Sequence, residues 1–134
     1  MTAEMFTFCD YAQEIGGKLV IVSTFDTIIT RDFPCVHSQL CMVIRIRFNI
    51  GEFCSHSFRI EAQNIDGQRC IEPISGHIEV RSGGNATAVT HLVFSITNLR
   101  FPDAGVTNFT LYVDERELST IPLYVRMDRL DKLG

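Results

Sequence analysis

The amino-acid sequence predicts an all-β domain, an antiparallel sandwich of two sheets and about eight strands with immunoglobulin-like or C2-like layering. Three observations carry this expectation. Apolar and polar residues alternate in at least five segments, at the period of strands with one face buried. Turn residues stand between those segments, and no stretch shows a convincing amphipathic helical period. Three places also read as hairpins: Phe109–Val125 around the charged Asp114–Glu117, Phe58–Cys70 around Asp66-Gly67, and Leu40–Phe48 meeting Phe58–Ala62 through Asn49–Gly51.

Taken in order, the chain opens on a short apolar run, Met5–Cys9, with Phe6 and Phe8 on one face. Thr2–Ile15 fits a helical period poorly, and Gly16-Gly17 marks a turn. Lys18–Thr24 is rich in β-branched residues and apolar on both faces, Leu19 and Ile21 against Val20 and Val22, so it is expected to be buried on both sides or central in its sheet. Phe25–Thr30 continues extended until Phe33-Pro34, where proline cannot donate to a ladder. Gln39–Asn49 places Leu40, Met42, Ile44, Ile46 and Phe48 on one face, with Cys41, Val43, Arg45 and Arg47 on the other.

His56–Asn64 turns Phe58, Ile60 and Ala62 inward, and Asp66-Gly67 suits a type I′ turn. Arg69–Ile74 is expected to return as a strand ended by Pro73, and Ser82–Asn85 to form a mobile loop. Ala88–Asn98 points Leu92, Phe94 and Ile96 inward. In the last hairpin Leu118 keeps step with one face, whereas Ile121, Leu123 and Val125 keep step with the other. One extra residue reconciles them, which predicts a β-bulge near Ser119–Thr120. The charged tail Met127–Gly134 is expected to fray or to form one helical turn.

The 134 residues suit one domain, 1–134, large enough to bury roughly two-thirds of its unfolded surface without disulfides or metals. A net charge of −4 and dispersed basic residues, with only Arg45 and Arg47 paired on one strand face, disfavour nucleic acid as a partner. Glu4 and Asp10 in the opening stretch argue against a signal peptide. No apolar run approaches the ~18 residues of a membrane span. The five cysteines, Cys9, Cys35, Cys41, Cys54 and Cys70, are therefore expected as reduced thiols in a cytoplasmic protein, and their odd number agrees. The Asn85-Ala-Thr and Asn108-Phe-Thr sequons are then chance matches.

Phe8-Cys9-Asp10-Tyr11-Ala12, Gly17-Lys18-Leu19, Phe25-Asp26-Thr27-Ile28 and Phe33-Pro34-Cys35-Val36-His37 form a series of turn and packing signatures. It continues in Arg45-Ile46-Arg47-Phe48, Asp66-Gly67, Leu99-Arg100-Phe101-Pro102 and Ile121-Pro122-Leu123-Tyr124-Val125. Over nearly the whole chain these residues resemble a family of small uncharacterised bacterial β-sandwich proteins, a domain of unknown function. The chain departs from the family pattern in the longer step Gly105–Phe109 and in Glu115-Arg116 where Asp-Gly is usual. The resemblance implies a fold and carries over no catalytic residues.

The sharpest chemical feature is a doubled Cys-x-His, Cys35/His37 and Cys54/His56. Residues two apart on a strand point to one side, so the two pairs together could form a Cys₂His₂ zinc site. The spacing is not that of a zinc knuckle. The two pairs are also separated by a strand length, which favours buried cysteines and strand-end histidines instead. His37 is expected to pin the Phe33–His37 segment through a backbone hydrogen bond, and Asp10 and Asp26 to cap turns. Arg45, Arg47, Arg59 and Glu61 are expected to form a cross-strand charge ladder. Cys9 and Cys35 lack a base placed by any motif, and Tyr112 and Tyr124 read as cover for the last hairpin.

These readings favour a non-enzymatic cytoplasmic interaction or accessory module, with no catalytic, cofactor or metal residues assigned and no cofactor. Its partner is expected to be another protein, or a second copy through an edge strand, and neither nucleic acid nor a membrane. The alternative is a zinc-stabilised domain or metal-dependent enzyme built on Cys35, His37, Cys54 and His56.

Overall fold

A computed structural model describes Met1–Asp128 and contains nine strands. In chain order they are β1 (Thr2–Ile15), β2 (Lys18–Phe25), β3 (Thr27–Thr30), β4 (Cys35–Asn49), β5 (Ser55–Asn64), β6 (Ile74–Glu79), β7 (Thr87–Phe101), β8 (Gly105–Val113) and β9 (Arg116–Met127). They form a four-stranded sheet, β2-β1-β4-β7, and a five-stranded sheet, β3-β9-β8-β5-β6. All neighbours are antiparallel except β3 and β9, which run parallel. The chain is all-β as expected, with one more strand than the alternation suggests and one parallel pair. Of the charged tail, Met127 is the last residue of β9, and Arg129–Gly134 lie outside the described residues.

One apolar core takes side chains from both sheets. Leu40, Met42, Ile44, Ile46 and Phe48 of β4 are all fully buried, as their strict alternation requires. Ile60 and Ala62 of β5, Phe109 and Leu111 of β8, and Leu123 and Val125 of β9 meet them from the second sheet. Phe8 of β1 packs edge-on against Phe109 of β8 with ring centroids 4.9 Å apart, which ties the two sheets together.

The connections differ from the expected hairpins in informative ways. β4 and β5 belong to different sheets, so Asn49–Phe53 is a crossover between sheets and not a hairpin turn. A 3₁₀ turn, Ile50–Glu52, makes the corner, and the Glu52 carboxylate accepts a hydrogen bond from the Asn49 N–H at 2.8 Å. At Asn64–Gln68 the chain does reverse, but only Gly67 adopts a positive φ (+78°), which excludes type I′ geometry. The Asn64 side-chain oxygen accepts from the amides of both Asp66 and Gln68, so an Asx turn sets this corner. The return strand is correspondingly short. Arg69 makes one bridge to Gln63, and regular pairing with β5 resumes only at Ile74, beyond Pro73.

The last hairpin follows its sequence closely. Asp114 and Glu115 both take positive φ (51° and 64°) between the paired Val113 and Arg116, the two-residue type I′ loop that suits strand twist. Leu111 pairs with Ser119 and Tyr112 with Glu117, so Leu118 is the extra residue, one position before the expected bulge.

Lys18–Phe25 is the largest departure. β2 is an edge strand, and Val20 and Val22 are exposed, neither buried nor central. β1 pairs with β4 from Thr2↔Arg47 as far as Cys9↔Cys41, then continues with β2 alone as a two-stranded arm. The arm bends near Asp10 and Ser23, the latter with φ +57°. Its inner residues Ala12, Leu19 and Ile21 pack on Cys9, Cys41 and Val43. Those three lie on the face of β4 and β1 that points away from the main core, yet they are 0–3% exposed because the arm folds back over them.

Candidate functional site

The β1–β2 arm has two unlike faces. Its inner face covers Cys9, Cys41 and Val43, and its tip is held by a side-chain relay. The Nδ1 of His91 on β7 lies 2.7 Å from Glu14 Oε2, and Arg45 Nη1 on β4 lies 2.9 Å from His91 Nε2. A guanidinium only donates, so Nε2 is the acceptor, and the ring proton sits on Nδ1 and is given to Glu14. Glu4, bulged out of β1 between Ala3 and Met5, accepts from Arg45 Nε at 3.0 Å and from Arg47 Nε at 2.7 Å. These two hydrogen bonds hold the Glu4 carboxyl below its usual range.

The outer face of the arm alternates against the inner one and carries Tyr11, Ile15, Val20 and Val22. Tyr11 and Val22 are direct cross-strand partners, and all four side chains are 43–55% exposed. The Tyr11 hydroxyl donates to Gln13 Oε1 at 2.6 Å on the same face. Since β2 pairs only with β1, the far edge of β2 presents backbone donors and acceptors beside this apolar strip.

A second constellation joins the sheet crossover to the last hairpin. His56, buried at the start of β5, stacks on Phe48 with centroids 4.8 Å apart. Its Nδ1 lies 2.5 Å from Asp114 Oδ2 and its Nε2 lies 2.7 Å from the Glu52 carbonyl. Both partners only accept, so both nitrogens donate and the ring is an imidazolium. Burial opposes that charge, but the hydrogen bonds to the Glu52 carbonyl and to Asp114 outweigh it and raise the pKa of His56. Asp114 is held low mainly by its bond to His56, and its other oxygen accepts from the Ser57 N–H at 3.0 Å.

The exposed Cys54 Sγ lies 3.5 Å from His56 Nε2, giving cysteine, histidine and aspartate in the order of a nucleophile, base and orienting acid. The imidazole cannot act as that base here, because its Nε2 proton is committed to the Glu52 carbonyl. The arrangement clamps the Asp114 turn to the crossover.

The doubled Cys-x-His is not brought together. Cys35 and His37 begin β4, whereas Cys54 and His56 follow its far end, and β4 is 15 residues long, roughly 50 Å at strand rise. No cluster of three or more His, Cys, Asp or Glu side chains able to hold a metal occurs among the described residues. The His37 ring rests against Phe25 at 6.1 Å and makes no side-chain hydrogen bond among the described residues, so it does not pin its segment in the expected way.

Asp26 accepts from the Thr27 hydroxyl at 2.7 Å and not from a backbone amide. The expected charge ladder splits between sheets: Arg45 and Arg47 pair with Glu4, and Arg59 pairs with Glu61 and Glu115. Arg59 also lies over Tyr112 at 4.4 Å, which leaves Tyr124 as the exposed tyrosine of the last hairpin. All five cysteines are free, and burial raises the pKa of the Cys9 thiol. No helix among the described residues is long and apolar enough to cross a membrane.

The geometry therefore defines an all-β domain of two sheets sharing one core, with a folded-back arm. Residues 4–126 match the model of a family of unknown function, DUF6941, and the chain belongs to that family. No curated protein and no solved structure matches it.

Proposed function

We propose that this domain is a non-enzymatic interaction or accessory module of the cytoplasm, and that the outer face of the β1–β2 arm is its contact surface. The observation that carries this reading is the cross-strand strip of Tyr11, Ile15, Val20 and Val22 beside the open edge of β2. A solvent-facing strand normally carries polar side chains, and long flat apolar edges are usually blunted by charge or proline. Here the occupant is an extended apolar segment of a partner protein, added as a further strand to β2. Such a partner supplies main-chain hydrogen bonds to the edge and apolar side chains to the strip. The sandwich reading, with immunoglobulin-like or C2-like layering, supports the proposal because it leaves the arm outside the main core. Five free thiols suit a reducing compartment.

The test compares capture from source lysate by the wild type and by Val22→Lys, a change on an already exposed side chain. A specific protein recovered by the wild type and lost with the lysine variant supports the reading. Equal recovery by both, or turnover in a broad substrate screen without any partner, overturns it. Sedimentation of the purified protein separates the self-association branch, since a second copy on β2 gives a concentration-dependent dimer that Val22→Lys abolishes.

A further inference from the structure

We propose that the cavity between the outer face of β4 and the 80–86 connector is a binding site for a dianionic phosphate group, as the free ion or carried by a small molecule. This inference is independent of the arm. The cavity, about 420 Å³, is lined by Arg45 and Arg47 of β4, by Arg81, Gly83 and Asn85 of the connector, and by Thr87 at the start of β7. Three arginines line it in a chain whose net charge is −4.

One carboxylate, Glu4, answers two of them, accepting from Nε of Arg45 and Nε of Arg47. Arg81 has no side-chain partner among the described residues, and Glu14 reaches Arg45 only through the ring of His91, so the three arginines outnumber the one carboxylate in direct contact with them. The polar side chains at the cavity are also rich in donors. Thr87 Oγ1 already accepts from Arg47 Nη1 at 2.8 Å, which leaves its hydroxyl proton to donate. The Asn85 amide adds two donors, and each guanidinium retains N–H groups beyond those used by Glu4, His91 and Thr87. A ligand that completes this site brings several acceptor oxygens and two negative charges. Phosphate meets both demands, and arginine forks match its geometry. The volume exceeds that of the anion alone, so a small organic phosphate fits as well as the free ion.

Calorimetric titration at low ionic strength with inorganic phosphate, and separately with phenyl phosphate, tests the site in the full chain. Saturable one-to-one binding is expected, weakened about tenfold or more in Arg81→Gln, which removes a charge-assisted contact but no internal bond. Arg126→Gln, on β9 of the other sheet, removes the same charge and is expected to change affinity less than twofold. Tighter binding of phenyl phosphate identifies an organic phosphate as the ligand class, and equal binding identifies the free anion. Absence of saturable binding of either probe, or an equal loss in Arg126→Gln and Arg81→Gln, overturns the proposal.

Discussion

Glu14 and His91 meet at 2.7 Å although their strands, β1 and β7, are not neighbours in the sheet and the residues are 77 apart in sequence. The contact exists only because the arm folds across β4. Glu14→Ala is therefore expected to loosen the arm and expose the thiols beneath it. A net hydrogen-bond contribution of about 0.5–1.5 kcal/mol corresponds to roughly a two- to tenfold rise in the open population. Alkylation of Cys9 and Cys41, followed by mass spectrometry, should accelerate by that factor. The exposed Cys54 serves as an internal standard whose rate stays constant. Unchanged protection of Cys9 and Cys41 would show that apolar packing alone holds the arm.

The His56–Asp114 clamp has a defined pH signature. The folded pKa of His56 is raised, so its contribution is complete below the unfolded value of about 6.5 and is lost as pH rises through the folded pKa. That of Asp114 is lowered, so its contribution is present above about 3.9 and is lost as pH falls through the depressed folded value. Asp114→Asn is expected to cost about 1–2 kcal/mol near pH 6, below the full penalty for breaking a buried pair because Asp114 is 42% exposed. Denaturant unfolding at a series of pH values should show the gap between wild type and variant narrowing on the alkaline side. A gap that stays constant with pH would mean that His56 is not charged in the folded state.

Much of this architecture is written in local pattern, and the exceptions share one cause. β4, β5, β8 and β9 alternate cleanly because each has one face on the main core. β1 does not, because both of its faces are covered at its middle: Phe8 points into the main core, and its neighbour Cys9 points the other way and is buried against the arm. β2 is apolar on both faces, which resembles a central strand. One face, Leu19 and Ile21, is in fact half-buried against Cys9, Cys41 and Val43 and the other meets solvent, a distinction no single strand encodes. The turn at Asp114 is legible as a turn. Its pairing with His56, like that of His91 with Glu14, joins residues 58 and 77 positions apart respectively and leaves no trace in local spacing. The family resemblance fitted the chain without supplying either cluster.

Gly76 on the edge strand β6 lies directly opposite Phe58. A Cβ at position 76 would stand 2.9 Å from the Phe58 ring, which covers the glycine as aromatic residues do on sheet edges. Gly76→Ala is expected to destabilise by about 1–3 kcal/mol through overpacking. Combining it with Phe58→Leu should recover part of the loss, measured as non-additivity of the two unfolding free energies. Strict additivity would remove the steric account.

Glu115 holds a left-handed φ of 64° at a position where glycine is free of strain. Left-handed backbone costs a residue with a Cβ roughly 1–2 kcal/mol, whereas its ion pair with Arg59 involves a side chain 74% exposed and contributes little. Arg59 keeps Glu61 as a partner in either case. Glu115→Gly is thus expected to stabilise by about 0.5 kcal/mol and to raise the Tm by roughly 2 °C. A lower Tm would show that the surface pair outweighs the backbone term.

The parallel register of Thr27 with Tyr124 and of Thr30 with Met127 joins the first quarter of the chain to its last strand. No tight turn can pre-align such a pair; the whole stretch between Thr30 and Tyr124 is the loop that must close. The entropy of that closure falls on the search for the native state, placing the β3–β9 seam among the last contacts to form. During synthesis the early segment waits for the ribosome to deliver its partner. Until then β3 has no strand to pair with, and its docking on β9 is the longest-range step in assembling the five-stranded sheet.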